Sequence, residues 1–202
     1  MIGRSRAIET GLLPGLLSPL PKVDQFVFRN RTELDSGRLR AMFMEAVAGW
    51  PVDGLSVLVR YSRGADFSGA CYYKSGRIFV NLGRHNSYPY CLATYVAVAR
   101  STAFGWKRSA YSLELADPYQ LALFIFLHEF YHWLVKRAGR NTRQKEGMCD
   151  RFAARILVDR WGSALTDGGG RAACRGDWDF QDLEGFVGEA RRSKGVTRAG
   201  RL

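Results

Sequence analysis

The sequence predicts an α+β domain in which a small, twisted, mostly antiparallel sheet packs on two consecutive helices. Short runs rich in Val, Ile, Tyr and Phe lie within residues 55–82, and a long apolar run with helix-capping residues begins near residue 118. A chain of 202 residues with 47% hydrophobic content can build one domain with a core. We assign residues 31–162 to this domain, residues 1–30 to an N-terminal arm and residues 163–202 to a linker and tail.

The first part of the predicted domain contains one helix and three strands. The helix is expected to begin at Thr32, whose hydroxyl can cap it, and to end near Gly49. Strands are expected at residues 55–61, 70–74 and 77–82, where β-branched and aromatic residues are separated by turns that contain glycine. The turn between the last two strands predicts a hairpin.

The middle of the chain is less distinctive. Residues 90–100 fit a buried strand and a buried helix equally well, because periodicity does not discriminate a short apolar run of this kind. Residues 110–115 are predicted to form a strand. The sheet is therefore expected to contain three to five strands.

Two helices follow. Asp117 suits the N-cap of the first, Pro118 suits its first helical position, and Gly139 ends it. The second helix follows a short turn, with Asn141 or Thr142 as its predicted cap. The apolar face of this second helix is formed by Met148, Phe152, Ala153, Ile156 and Leu157.

The first of these two helices carries an HExxH motif, formed by His128, Glu129 and His132. Residues four positions apart lie about one helical turn apart, so both imidazoles leave the same face and can bind one ion. A hydrolytic zinc site needs a third protein ligand and an open position. The next helix supplies Glu146 as that ligand, and Asp150 lies on the same face. Asp150 is suited to accept the second ring N–H of His128.

This combination of HExxH on one helix and ExxxD on the next resembles the gluzincin branch of the zincin superfamily of metallopeptidases, over about residues 118–160. The resemblance implies a compact, single-domain, zincin-like fold with one Zn²⁺ per chain. It implies that His128, His132 and Glu146 hold the zinc. It further implies a zinc-dependent metallopeptidase, an endopeptidase, in which a zinc-activated water attacks the peptide bond with Glu129 as general base.

The resemblance also implies a residue that stabilises the oxyanion and a strand that binds the substrate. No motif identifies the first, and Tyr111, Tyr119 and His85 are candidates. An edge strand is expected to pair with an extended protein or peptide substrate. Residues 77–82 and 110–115 are the candidates for that strand.

Two alternatives stay open. The zinc can be structural, in a protein that binds nucleic acid or peptide and has no peptidase activity or has lost it. Cys149 shares the helix face of Glu146 and is an alternative third ligand, although buried packing is the commoner role of a free cysteine.

The charge balance predicts an anionic partner. The formal net charge is +11, which favours association with nucleic acid or another polyanion. Five basic residues crowd the turn between the two site helices and form a candidate anion-binding surface beside the cleft, although a solvated helix end explains them equally well. These residues are Lys136, Arg137, Arg140, Arg143 and Lys145.

Cysteine spacing and hydropathy bear on location. The four cysteines are widely spaced without a CxxC pair, which argues against a disulfide framework and favours a reducing, cytoplasmic environment. No run reaches the roughly 18 apolar residues of a membrane span. The first 20 residues loosely mimic a signal peptide, but Glu9, Pro14 and Pro19 argue against one.

Overall fold

The computed structural model describes residues 26–143 and 145–192. Its mixture of helices and strands confirms the predicted α+β class. None of the described helices is both long enough and apolar enough to cross a membrane. The elements in chain order are β1 (Val27–Asn30), α1 (Ser36–Ala46), β2 (Ser56–Tyr61), β3 (Phe67–Tyr72), β4 (Arg77–Leu82), β5 (Tyr90–Thr94), β6 (Ala99–Thr102), β7 (Gly105–Arg108), β8 (Tyr111–Leu115), α2 (Pro118–Arg137), α3 (Glu146–Trp161), β9 (Leu165–Asp167), α4 (Arg175–Trp178) and α5 (Leu183–Arg192).

The main sheet has four strands in the order β1-β2-β4-β3. β1 pairs with β2 and β2 pairs with β4 in parallel, and β3 pairs with β4 antiparallel. The prediction of a mostly antiparallel sheet is therefore wrong for the sheet that packs on α2. The reason is that α1 forms a crossover between β1 and β2, and a crossover connection makes neighbouring strands parallel.

The β3–β4 hairpin is present as predicted, with Gly76 in the left-handed region at φ 60°. Beyond it, β5, β8 and β9 form a second, antiparallel sheet in the order β5-β8-β9. β6 and β7 form a separate two-stranded hairpin. The ambiguous residues 90–100 thus contain strand structure and no helix.

Helix α1 begins later than predicted. Its N-cap is Asp35, which accepts a hydrogen bond from the Arg38 amide at 2.5 Å. Thr32 instead belongs to the preceding turn, where its hydroxyl donates to Asn30 Oδ1 at 2.7 Å and accepts from the Leu34 amide at 3.2 Å. The predicted start at Thr32 was wrong because a threonine suits both a turn and a cap.

The two site helices differ in how well their starts were predicted. Asp117 caps α2 and accepts a hydrogen bond from the Gln120 amide at 2.9 Å, as predicted. Helix α3 begins at Glu146 with no side-chain cap, so Asn141 and Thr142 are not its caps. Asn141 Oδ1 accepts from a backbone amide within the turn instead.

The core extends beyond the predicted domain limits. Helix α2 is buried around most of its circumference, between the main sheet and helices α1, α3 and α5. Phe26 before β1, Trp178 of α4 and Leu183 of α5 are all buried in the same core, and β1 is a strand of the main sheet. Burial of each such side chain stabilises the fold by about 2–3 kcal/mol. These residues lie in the predicted N-terminal arm and C-terminal tail, and they pack against the core of the domain.

Candidate metal centre

His128 and His132 lie on one face of α2, with their ring centroids 5.0 Å apart. The rest of the helix surface is largely apolar and packs in the core. The two imidazoles therefore meet at the side where α2 faces α3. His132 is buried and His128 is nearly so, which limits the water available to solvate a charge on either ring.

Glu146, the first residue of α3, lies between the two imidazoles. Its Oε2 is 3.2 Å from His128 Nε2, and its Oε1 is 3.3 Å from His132 Nε2. Two ligand atoms that each lie about 2.0–2.1 Å from a tetrahedral ion are separated by about 3.3 Å. The structure thus brings together the three side chains that the sequence singled out, with one Glu146 oxygen near each imidazole.

Asp150 orients the first imidazole. His128 Nδ1 lies 2.8 Å from Asp150 Oδ1, and Asp150 Oδ2 accepts the backbone N–H of Tyr95 at 2.7 Å. With Nδ1 as the donor to Asp150, the His128 Nε2 atom points toward Glu146. Asp150 is buried, so both of its carboxylate oxygens need these partners.

The charges around His128 favour a cation. Burial alone would lower the pKa of His128, but hydrogen bonds to Asp150 and Glu146 outweigh burial and raise the pKa to about 10. The hydrogen bond from His128 in turn lowers the pKa of Glu146. Two carboxylates thus stabilise positive charge at this position, which is the charge that a divalent ion also carries.

His132 behaves differently from His128. Burial and the neighbouring His128 lower the pKa of His132, which favours the neutral ring. Its Nδ1 is buried and has no hydrogen-bond partner among the described residues. Neutral imidazole is the form that binds a metal ion, so the chemistry of His132 also fits a ligand role.

Cys149 provides a second candidate ligand set. One ligand atom each from His128, His132 and Cys149 lies within 4.8 Å of the others, an arrangement compatible with a metal ion of unspecified identity. Cys149 is buried, and all four cysteines are free. Burial raises the pKa of the Cys149 thiol, and the negative charges of Glu146 and Asp150 add to this effect. The thiolate is the form that binds metal, and a bound cation itself favours the thiolate, so Cys149 and Glu146 are alternative third ligands beside the two imidazoles.

Glu129 lies against Gly69 of β3. A Cβ atom at residue 69 would lie 2.7 Å from Glu129 Cγ and 2.9 Å from Glu129 Cδ, so any other residue there would force the Glu129 side chain to move. Burial raises the pKa of Glu129 to about 7; the charge of Glu146 adds to the increase and His128 opposes it. A carboxyl group with a pKa near 7 can accept and return a proton near neutral pH.

A cavity of about 240 Å³ opens beside these groups. Its walls include His128, Glu129 and Glu146 from the helices, Gly69 from β3 and Leu92 from β5. β3 is an edge of the main sheet, and β5 is an edge of the three-stranded sheet. The cleft therefore lies between two strand edges and the two site helices.

The predicted substrate strands do not line this cleft. β4, at residues 77–82, lies between β2 and β3 in the main sheet. β8, within the predicted residues 110–115, lies between β5 and β9. Both are interior strands whose backbone groups are already paired, so both candidates were wrong. The order of strands depends on long-range pairing, which local sequence patterns do not specify.

The three oxyanion candidates also lie elsewhere. Tyr111 is buried in β8, and the Tyr119 hydroxyl accepts a hydrogen bond from the Asp35 amide at 3.0 Å. His85 lines a separate pocket. The tyrosine that lines the cleft among the described residues is Tyr95, which is 60% exposed. Sequence reasoning missed it because residue 95 falls within the run that fitted both strand and helix.

The basic turn between the site helices is partly neutralised by the protein itself. Arg137 forms an ion pair with an aspartate before β2. Arg140 and Lys145 both lie over an aromatic ring of α5. Lys136 and Arg143 are exposed. None of the five lines the cleft, and the predicted anion-binding surface stays a prediction.

The candidate centre thus combines two imidazoles, two carboxylates that contact them and a third carboxylate, Glu129, in one cleft. Comparison with models of protein families, with curated proteins and with solved structures gave no match.

Proposed function

We propose that this chain is a zinc-dependent metallopeptidase of the gluzincin type that hydrolyses peptide bonds with Glu129 as general base. One observation carries the proposal. The Glu146 carboxylate lies 3.2 and 3.3 Å from the Nε2 atoms of His128 and His132, and Glu129 borders the same open cleft. Three protein ligands beside a cleft are typical of a catalytic zinc site, whereas a structural site uses four.

His128, His132 and Glu146 would hold the metal, and Asp150 would fix the orientation of the His128 ring. Imidazole nitrogen and carboxylate oxygen form a donor set that zinc accepts readily. When bound, zinc supplies a Lewis acid that polarises a carbonyl and lowers the pKa of water. The hydrogen bond from His128 Nδ1 to Asp150 at 2.8 Å leaves Nε2 as the ligating nitrogen.

Glu129 would transfer the protons. It takes one proton from the attacking water and returns a proton to the nitrogen of the leaving amine. Its position against Gly69 holds the carboxylate at the strand side of the cleft, where the peptide would lie. Because Glu129 makes no hydrogen bond to either imidazole among the described contacts, it is available for this role.

The substrate would bind in an extended conformation along β3. An edge strand presents unpaired backbone groups, and these can pair with an added strand while side-chain pockets select the sequence. Gly69 brings this edge close to Glu129. Tyr95, on the opposite side of the cleft, is the residue that we propose to stabilise the oxyanion.

The test compares cleavage and metal content. The purified full chain, loaded with zinc, is expected to cleave fluorescently labelled unfolded casein. Glu129→Gln is expected to keep one zinc per chain and to lose cleavage by at least about 100-fold, because the proton acceptor is removed and the ligands are not. Glu114→Gln, at an exposed position of β8, is the matched control and should change neither quantity.

The two possible failures have different meanings. Full cleavage by the Glu129→Gln variant would contradict the role of Glu129. Tight zinc binding by the unmodified chain without any cleavage would instead favour the alternative of a binding protein with a structural metal.

A further inference from the structure

The outer face of the main sheet, which we define as the face opposite α2, is basic and aromatic. On the inner face Val57, Val59, Ile78 and Val80 are buried. The alternating side chains on the outer face are exposed or half-buried. Strand pairing arranges them in rows: Val27, Ser56, Arg77 and Tyr72, then Arg29, Leu58, Phe79 and Ala70, then Arg60, Asn81 and Ser68.

One end of the outer face forms a concave basic pocket. The pocket has a volume of about 630 Å³ and is lined by Arg31, Arg60 and Arg63 together with serine, tyrosine and asparagine side chains. No carboxylate of the described residues lines it. Arg60 Nε donates to Asn81 Oδ1 at 2.7 Å, which holds the guanidinium group in place over the sheet. A fixed cluster of positive charge in a concavity favours an anionic ligand.

The arginines of the outer face lack carboxylate partners. Among the described residues, Arg29, Arg31, Arg60, Arg63 and Arg77 form no ion pair. Arginines elsewhere on the domain do form such pairs, namely Arg38, Arg84, Arg137, Arg155, Arg171 and Arg175. Five arginines without an ion pair among the described residues therefore lie together on or beside one face of the sheet.

Aromatic rings lie beside these arginines. Tyr72 is 58% exposed and packs edge-on against Phe79, with ring centroids 5.3 Å apart. The Arg60 guanidinium carbon lies 4.9 Å from the centre of the Phe79 ring. Guanidinium planes and aromatic rings are the groups on which unpaired bases stack. A lipid headgroup or an acidic side chain would match the charge of this face but offers no planar base to stack on its rings.

We propose that the outer face of the main sheet binds single-stranded nucleic acid. Arg31, Arg60 and Arg63 would contact phosphates, and Tyr72 and Phe79 would stack on bases. The face lies on the opposite side of the sheet from α2 and the metal centre. The proposal therefore does not depend on the proposed peptidase activity.

The first test measures how strongly the binding affinity depends on salt and on the three pocket arginines. Binding of the full chain to a fluorescein-labelled oligothymidylate of about 15 nucleotides is followed by fluorescence anisotropy at increasing salt. The logarithm of the affinity should fall against the logarithm of salt concentration with a slope of about −2, as expected for three phosphate contacts to a single strand. The triple variant Arg31→Gln, Arg60→Gln, Arg63→Gln should bind at least about tenfold more weakly at low salt, with a flatter slope.

The matched control removes the same charge elsewhere. The triple variant Lys136→Gln, Arg140→Gln, Arg143→Gln takes three positive charges from the turn between α2 and α3 and should keep the affinity within about twofold. An equal loss in both triple variants would mean that net charge alone drives binding. A loss in the turn variant alone would place the ligand at the turn. Either result overturns the proposal, as does an absence of binding by the unmodified chain.

The second test separates nucleic acid from other polyanions. Tyr72→Ala should weaken oligothymidylate binding by about tenfold, because a stacking surface is lost, whereas Tyr72→Phe should retain binding. Heparin, a polyanion without bases, should bind the Tyr72→Ala variant as well as it binds the unmodified chain. Unchanged oligothymidylate affinity in Tyr72→Ala, or an equal loss of heparin and oligothymidylate binding, would overturn base stacking and with it the proposal.

Discussion

The helical side and the strand side of the cleft are built from different kinds of residue. The helical side, on α2 and α3, presents charged side chains that contact one another, with His128 between Asp150 and Glu146. The strand side, on β3 and β5, presents a glycine, apolar side chains and strand edges, with Phe67, Gly69 and Leu92 in its wall. The helices therefore supply the chemical groups, and the strands supply space and backbone.

The periodicity of each element explains this division. On a helix, residues four apart share a face, so one helix can direct two imidazoles, and the next can direct Glu146 and Asp150, to the same point. A strand alternates its side chains and, at a sheet edge, leaves backbone groups unpaired. The contact between Asp150 Oδ2 and the Tyr95 amide, at 2.7 Å, joins the helical side to the segment after β5.

The largest expected effect lies on the helical side. Glu146→Gln should lower zinc affinity by at least about 100-fold, because it replaces the charged third ligand. Metal analysis after dialysis and competition with a chromophoric chelator measure this change. Cys149→Ser should keep the zinc, and Glu184→Gln on the surface of α5 is the control for the substitution itself. Zinc retained in Glu146→Gln and lost in Cys149→Ser would make Cys149 the third ligand.

The next largest effect is expected from a substitution on the strand side, which should lower the rate of cleavage and leave the zinc content unchanged. Gly69→Ala places a methyl group within 3 Å of Glu129 Cγ and Cδ, so the carboxylate must move. A displacement of about 1 Å can cost about 100-fold in rate, and we expect a loss of that size in kcat with full zinc content. Gly188→Ala, where a Cβ meets nothing within 4 Å, is the matched control. Normal kcat in Gly69→Ala would show that the strand side does not position Glu129.

Substitution of Asp150, which joins the helical side to the strand side, should have an intermediate effect on zinc affinity. In the wild-type chain the two Asp150 oxygens accept hydrogen bonds from His128 and from the Tyr95 amide. The asparagine of Asp150→Asn has only one side-chain oxygen, so it can accept only one of these two hydrogen bonds. Zinc affinity should fall by about tenfold, because the partner of a ligating histidine is weakened. Chelator competition measures the affinity, and Asp159→Asn, an exposed position of the same helix, is the control. Unchanged affinity would contradict the orienting role of Asp150.

The same division explains which features the sequence could predict. The capping of α2, the HExxH face and the ExxxD spacing are local patterns, and the observed geometry brings Glu146 to the imidazoles as those patterns predicted. The N-cap of α3 was misplaced by three or four residues, because Asn141 suits a turn as well as a cap. The positions of Tyr95 and Gly69 in the cleft wall carry no local signal, since they depend on which strands form the edges.

Local sequence patterns could not predict the parallel pairing of the main sheet either. β1 has only four residues, and its pairing with β2 spans the whole of α1. Such long-range contacts are decided by burial of the complete sheet against α2, which no window of sequence reports. The basic outer face has the same origin, because its arginines come from separate strands and meet only after pairing.

The smallest effect is expected outside both sides of the cleft, where the C-terminal segment supports α3. Arg175 forms ion pairs with Asp159 of α3 and with Asp179, at 2.6 Å each, and lies over the Trp178 ring. The side chains of Arg175 and Asp159 are 45% and 46% exposed, so solvent screening limits the loss in Arg175→Gln to about 1 kcal/mol of unfolding free energy. Zinc affinity should not change.

The effect of Arg175→Gln should depend on pH in a defined direction. The hydrogen bond from Arg175 lowers the pKa of Asp159 below its ordinary value of 3.8. A carboxylate with a lowered folded-state pKa stabilises the fold above its unfolded pKa, and this contribution is lost as pH falls through the folded pKa. Urea unfolding should therefore show the full difference between variant and unmodified chain at pH 7 and a shrinking difference below about pH 4. A difference that is constant across this range would assign the effect to packing on Trp178 and exclude the ion pair as its source.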